Sequence, residues 1–169
     1  MKPSEATPQT LTLDKARILD AVSKRSAYLS AKHDSPTIEA FSPDNQLLAD
    51  YWQQACLTAV SACTPYVEKY SSVTDPVASC EISENFELTL RLPIHFDKTV
   101  LSSIEAALNE YTILHILCEW LQTCGAHELR ESLQKDRDQQ LLQLAEPLNM
   151  RQPPKRSYVA EDTGTLKYQ

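Results

Sequence analysis

The segment HILCEWLQTCGAH, residues 115–127, contains the side chains best suited to chemistry. Two histidines and two cysteines follow the spacing H-x2-C-x5-C-x2-H. Imidazole nitrogen and thiolate sulfur are the usual ligands of structural zinc, and four of them complete a tetrahedral site. His115 with Cys118, and Cys124 with His127, are each three residues apart, a spacing that places two side chains on one helical face. The spacing therefore permits a metal site.

The same segment also fits the end of a core helix. A seam of residues spaced three and four apart leads into it. The seam consists of Leu101, Ile104, Leu108, Tyr111, His115 and Cys118. Gly125 is suited to end a helix, so Cys124 and His127 would flank a turn. We therefore favour buried thiols that pack as small apolar side chains, and we predict no metal and no cofactor.

No other catalytic motif is present in the sequence. A nucleophile elbow of the type G-x-S-x-G is missing, and two glycines, Gly125 and Gly164, are too few for a phosphate-cradling loop. Cys56 and Cys63 lie on one predicted helical face, about 10 Å apart along the axis, which is too far for a disulfide. We predict that the protein is not an enzyme.

The composition is that of an acidic globular protein. The chain has 169 residues and a formal net charge of −7. This charge argues against a dedicated nucleic-acid binder, because phosphate neutralisation requires a basic face. The five cysteines, an odd number, indicate a reducing compartment. The longest apolar run, residues 111–120, is too short to span a bilayer, so we expect no membrane association.

Hydrophobic periodicity predicts four helices. They cover about residues 14–33, 44–70, 98–124 and the stretch from just after Gly125 to Pro147. Pro65 is expected to kink or restart the second helix, and Pro147 is expected to end the fourth. The short turn at Gly125 predicts that the last two helices form an antiparallel hairpin.

A change of period predicts one strand. In FELTLRLPIHF, residues 86–96, apolar and other residues alternate, which indicates a half-buried strand. Residues 79–83 are its expected partner, which gives an inserted β-hairpin near residues 78–96. The residues expected to make contacts from this hairpin are Glu84, Asn85, Glu87 and Arg91. The predicted fold is mainly α: a bundle of about four helices with one β-hairpin and an extended C-terminal tail.

The sequence divides into three parts. Residues 1–10 are expected to be disordered and residues 11–147 to form the helical domain. Residues 148–169 carry a net charge of +2, which leaves −9 for the rest of the chain. Because this segment combines prolines, bases and tyrosine without periodicity, we expect an extended arm that docks on a partner. Its docking residues would be Arg151, Pro153, Pro154, Lys155, Arg156 and Tyr158.

In its order of elements the chain resembles the head–tail connector (adaptor, head-completion or neck) proteins of tailed bacteriophages. The segments that carry the resemblance are LTLDKARILDAV (11–22), FELTLRLPIHF (86–96), YTILHILCEWL (111–121) and the tail from Arg151. The resemblance implies a ring of about a dozen copies beneath the portal protein. The arm would dock on the portal or a neighbouring copy, and the hairpin would reach another neck or tail protein.

The resemblance also implies a place and a chemistry for the protein. It would be made in the cytoplasm of the bacterial host and would reside in the virion, between capsid and tail. The family brings no catalytic residues. An acidic body suits a channel through which DNA passes without specific binding, because like charges disfavour phosphate contact.

Two other functions remain open at this stage. One is a cytosolic helical module that binds another protein through the tail. The other is a small metal-binding protein that uses His115, Cys118, Cys124 and His127. A connector forms rings, a module is a monomer or dimer, and a metalloprotein carries stoichiometric metal.

Overall fold

The computed structural model describes residues 8–33, 47–70, 85–92 and 96–149. Over these ranges the protein is mainly helical, with four helices and a small three-stranded antiparallel sheet, which confirms the predicted fold class. The elements are β1 (Pro8–Asp14), α1 (Lys15–His33), α2 (Leu47–Ala62), β2 (Val67–Tyr70), β3 (Asn85–Arg91), α3 (Leu101–Thr123) and α4 (His127–Asn149).

The third helix is the centre of the fold. α3 packs against α1, α2, α4 and β1. Every residue from Tyr111 to Cys118 is buried, so this stretch is covered on all sides and not along one stripe. A helix that is apolar all round needs such complete cover to keep its side chains out of water. The elements around α3 are therefore held in place by a shared core.

The sheet has the strand order β1-β3-β2, and both pairs are antiparallel. Leu11 lies opposite Leu88 and Leu13 lies opposite Phe86, and all four side chains are buried. Because successive side chains of a strand point to opposite faces, the residues between them lie on the outer face. The sheet thus places one apolar face on the core and leaves a polar face outside.

The turn between α3 and α4 has the hydrogen bonds of a Schellman motif. The backbone N–H of Ala126 donates to the Leu121 carbonyl at 2.9 Å, and that of Gly125 donates to the Gln122 carbonyl at 3.1 Å. Gly125 has a φ of 74°, a left-handed conformation that glycine adopts without steric cost. The predicted helix end and the hairpin of α3 and α4 are confirmed.

The N-terminal boundary differs from the prediction. Residues 8–10 were expected to be disordered, but Pro8–Asp14 form β1, which pairs along its whole length with β3. The alternation of Thr10, Leu11, Thr12 and Leu13 is the signal for this strand, and pairing with a central strand stabilises it. Residues 1–7 lie outside the described residues.

The second helix is shorter than predicted. α2 ends at Ala62, and a 3-10 turn at Thr64–Tyr66 leads into β2 instead of a further helix. Pro65 supplies no backbone N–H for a helical hydrogen bond, and Val67 finds a strand partner opposite Leu90. The expectation of a kinked or restarted helix is therefore wrong.

The predicted strand is real but shorter, and its neighbours differ from those expected. β3 ends at Arg91, not at residue 96. At Thr89 both sides of the strand are occupied, by Thr10 of β1 and Lys69 of β2. The expected hairpin partner, residues 79–83, lies outside the described residues. A three-stranded sheet therefore replaces the simple inserted hairpin.

Pro147 does not end the fourth helix, which continues to Asn149. Leu148 is only 2% exposed and belongs to the core. The Tyr66 hydroxyl donates a hydrogen bond to Asn149 Oδ1 at 2.6 Å. A proline in the last turn removes one hydrogen bond, which the packing of Leu148 offsets. The helical body therefore extends two residues beyond the predicted boundary at residue 147.

Candidate functional site

Three of the four expected hairpin contact residues lie on one face of the sheet. Asn85, Glu87 and Arg91 are all exposed. They alternate with buried residues of β3, so they share the face that points away from the core. Glu84 lies outside the described residues. The structure therefore places these three side chains on a common surface, which we call the outer sheet face.

Strand β1 supplies the other half of the outer sheet face. Its exposed residues lie directly opposite those of β3, with Asp14 across from Asn85, Thr12 across from Glu87 and Pro8 across from Arg91. In the middle of the face, Thr89 is buried, and its Oγ1 lies 3.2 Å from Thr10 Oγ1.

The charges on the outer sheet face are unevenly placed. Asp14 and Glu87 lie toward one end of β3, and Arg91 lies at the other end. Seven residues of strand separate the two ends by about 20 Å. A partner that meets this face would therefore need basic groups at one end and an acidic group at the other.

The arm residues predicted to dock on a partner cannot be placed on a surface. Arg151, Pro153, Pro154, Lys155, Arg156 and Tyr158 lie outside the described residues. Their attachment point is described, because α4 ends at Asn149 beside Tyr66. The predicted docking residues therefore follow, in the sequence, the end of α4 that contacts Tyr66.

The fold separates the four side chains of the possible metal site. His115 and Cys118 are buried within α3, whereas Cys124 is half-buried at its end and His127 is exposed at the start of α4. Across the described ranges, no three histidine, cysteine, aspartate or glutamate side chains are grouped closely enough to hold a metal ion. The sequence spacing alone permitted a metal site, but the turn at Gly125 places His127 on a different helix from His115 and Cys118.

His115 is a buried, neutral core residue. Its side chain is 9% exposed, and neither Nδ1 nor Nε2 has a hydrogen-bond partner. Its ring centroid lies 6.1 Å from that of Tyr111. Burial lowers the pKa of His115, the charge of Glu119 opposes that shift and the charge of Arg137 on α4 adds to it. The ring therefore carries no charge at neutral pH.

Cys56 of α2 and Cys63, which directly follows α2, are unsuited to nucleophilic or redox chemistry. Cys56 and Cys63 are both fully buried in the core. Burial raises the pKa of Cys56 to about 12 and that of Cys63 to about 11. The thiolate is the reactive form, so these shifts suppress reactivity at neutral pH. The interpretation of both as small apolar core residues is confirmed.

One polar contact within the body could not be identified from the sequence. The guanidinium of Arg25 on α1 donates two hydrogen bonds to the Glu110 carboxylate on α3, at 2.6 Å and 2.7 Å. The hydrogen bond that Arg25 donates to Glu110 raises the pKa of Arg25, and burial opposes this shift. The partners are 85 residues apart, so no local pattern signals the pair. Its role is structural, because it fixes α1 against the central helix.

Two large apolar side chains stand out on the surface of the helices. Tyr28 of α1 is 65% exposed and Leu142 of α4 is 75% exposed. The Lys32 ammonium lies 6.0 Å from the centroid of the Tyr28 ring. The sequence indicated only that the polar middle of the fourth helix must be solvated or meet a partner. Exposed apolar groups among charges are a common feature of interaction surfaces.

No known family, curated protein or solved structure matches this chain. Within the described part of the chain, none of the helices combines the length and the apolar character needed to cross a membrane.

Proposed function

We propose that this protein is a structural subunit of the neck of a tailed bacteriophage, where copies form a ring between the portal and the tail. The observation that supports the proposal most directly is the architecture. A helical body built on one central helix carries a small sheet with a polar outer face. This arrangement fits the connector proteins that the sequence resembles.

The parts of the chain suit the separate tasks of a connector subunit. The middle of α3, from Tyr111 to Cys118, is buried on all sides, which would let the body transmit force without the helices sliding apart. The outer sheet face, with Asn85, Glu87 and Arg91, offers polar groups to an adjacent ring. The basic residues that follow Asn149 in the sequence would bind the portal protein or a neighbouring copy.

The charge of the chain suits a DNA channel. Its net charge is −7, and a ring of about a dozen copies multiplies that charge around the axis. Negative walls repel phosphate, so DNA would pass without specific binding. We propose no catalytic step, because burial keeps the thiols of α2 and its C-terminal end protonated and keeps the imidazole of His115 away from solvent and substrate.

Native mass spectrometry and negative-stain electron microscopy of the full chain test this proposal. We expect rings with a central opening, either for the protein alone or after mixing with the portal encoded beside it. A monomer or dimer that never joins a portal would exclude the neck function and favour a cytosolic interaction module. The genes next to this one should encode terminase, portal and capsid proteins, and their absence would count equally against it.

A further inference from the structure

Two exposed stripes on different helices have complementary chemistry. The α1 stripe is Arg17, Asp20, Lys24, Tyr28 and Lys32, and the α4 stripe is Glu131, Lys135, Asp138, Leu142 and Glu146. Every one of these side chains is exposed. Within each stripe the spacing is three or four residues, so each set lies along one side of its helix.

We propose that the α1 stripe of one copy binds the α4 stripe of a second copy, with the two helices side by side and pointing the same way. In this parallel orientation each charged side chain of one stripe lies beside an oppositely charged side chain of the other. The resulting pairs are Arg17 with Glu131, Asp20 with Lys135, Lys24 with Asp138, and Lys32 with Glu146. The fifth pair places Tyr28 against Leu142.

The lengths of the two stripes also agree. Each stripe spans fifteen residue steps of α-helix, from Arg17 to Lys32 and from Glu131 to Glu146, which is about 22 Å. Equal lengths let all five pairs meet in one contact. The apolar pair lies between two ion pairs, as in interfaces where a dry centre is flanked by charged groups. Tyr28 and Leu142 would lose most of their 65% and 75% exposure there.

The balance of charge on the two helices supports a second copy as the partner. α1 carries five lysines and arginines against one aspartate, whereas α4 carries five acidic residues against three basic ones. Opposite charge steers such surfaces together and penalises contact between like surfaces. Within one copy Lys24 pairs with Asp20 at 2.6 Å, and Arg137 pairs with Asp138 at 3.0 Å. The Lys24–Asp20 pair is exposed on both sides, and Asp138 is 55% exposed although Arg137 is only 17% exposed, so Lys24 and Asp138 can exchange partners on binding.

The contact would be head-to-tail, because the two stripes are different surfaces of the same protein. In an open row of copies, the two end copies each keep one unoccupied stripe, and these two stripes meet when the row closes into a ring. The inference rests on the proposed ring function for this closure and names the contact that would build the ring. It assigns to α1 and α4 a role that leaves the outer sheet face and the arm for other partners.

Charge reversal at the Arg17–Glu131 pair tests the contact in the full chain. Neither residue forms an ion pair within the described body, so reversal leaves the fold intact. Arg17→Glu alone and Glu131→Lys alone should each weaken self-association, measured by sedimentation velocity, by about tenfold or more. An equal mixture of the two variants should restore association, because every contact in an alternating ring is again complementary.

Two matched variants control for charge and for direction. Asp136→Lys makes the same type of change on an exposed part of α4 outside the stripe, and it should associate like the parent. Mixing Arg17→Glu with Glu146→Lys should not restore association. Rescue by Glu146→Lys instead of Glu131→Lys would overturn the proposed direction of the helices.

The outcomes separate this contact from the proposed function. Association that is insensitive to Arg17→Glu and Glu131→Lys would overturn the contact and leave the ring proposal standing. A parent chain that stays monomeric at every concentration, alone and with portal, would overturn both. Association through these charges should also weaken as the salt is raised from about 50 mM to about 500 mM.

Discussion

Replacing His115 by leucine is expected to stabilise the protein, and more strongly as the pH falls. Both ring nitrogens are buried without a hydrogen-bond partner, and a buried unpaired polar group costs about 1–3 kcal/mol. The change of shape between imidazole and leucine costs up to about 1.5 kcal/mol. The expected gain in the free energy of unfolding is therefore about 1 kcal/mol at neutral pH.

The pH dependence follows from the direction of the pKa shift. The folded state lowers the pKa of His115 below its ordinary value of 6.5, so the unfolded chain binds the proton more readily. The full stability is present above pH 6.5 and is lost as the pH falls from there toward the lowered folded pKa. One proton of difference gives a slope of at most about 1.4 kcal/mol per pH unit.

Urea denaturation between about pH 5 and 7.5 measures this effect. The parent should lose stability below pH 6.5 more steeply than His115→Leu. His127→Gln is the matched control for loss of an imidazole, because its side chain is exposed at the start of α4, and it should keep the parent's stability at neutral pH. A leucine variant that is less stable at neutral pH, or that keeps the parent's acid slope, would contradict a buried and unpaired imidazole.

Three further predictions concern the body of the fold. Truncation after Asn149 should leave the melting temperature unchanged. Truncation after Pro147 removes buried Leu148 and the hydrogen bond from Tyr66, so it should lower the free energy of unfolding by about 2–3 kcal/mol in a thermal melt. Equal stability of the two truncated proteins would refute the helix boundary at Asn149. A double-mutant cycle of Arg25→Ala and Glu110→Ala should give a coupling free energy of unfolding of about 0.5–1 kcal/mol, because both side chains remain partly exposed. A coupling of zero would show that the ion pair does not stabilise the protein. Peptide mapping after iodoacetamide treatment should find Cys56 and Cys63 unmodified in the native protein and modified in urea, and native modification of either would contradict its burial and raised pKa.

Periodicity predicted the helices because their core residues are close in sequence. The seam from Leu101 to Cys118 repeats every three or four residues, and Gly125 marks the end of the helix in the sequence as it does in the structure. These signals are local, so one sequence is enough to interpret them. The pairing of α3 with α4 then follows from the short turn.

The sheet was only partly predicted because its pairing is not local. β3 was visible from its alternation, but its neighbours β1 and β2 lie at separate places in the chain. In β2, Val67 and Tyr70 continue the helical spacing of α2, so the pattern alone could not exclude a helix there. Contact with β3 decides the outcome, as tertiary packing often does for short segments.

On the outer sheet face, too, the residues of one strand were predictable and their cross-strand neighbours were not. The alternation in residues 86–96 was enough to place Glu87 and Arg91 on the same side of a strand, whereas Asn85 preceded the predicted strand and is added by the structure. The β1 residues opposite them, such as Thr12 and Asp14, could not be added without knowing the strand pairing. The burial of His115 and Cys118 belongs to the predictable part, because both residues continue the core seam of the third helix.

The pairing of β1 with β3 also sets an order of events during synthesis. Leu11 faces Leu88, a partner that is translated 77 residues later. At roughly 5–20 residues per second, the ribosome needs roughly 4–15 s to supply it. β1 is therefore synthesised before its partner strand, and Leu11 and Leu13 have no sheet partner until β3 has been synthesised. A deletion of β1 would therefore spare the folding steps that precede the synthesis of β3 and act only on steps that follow it.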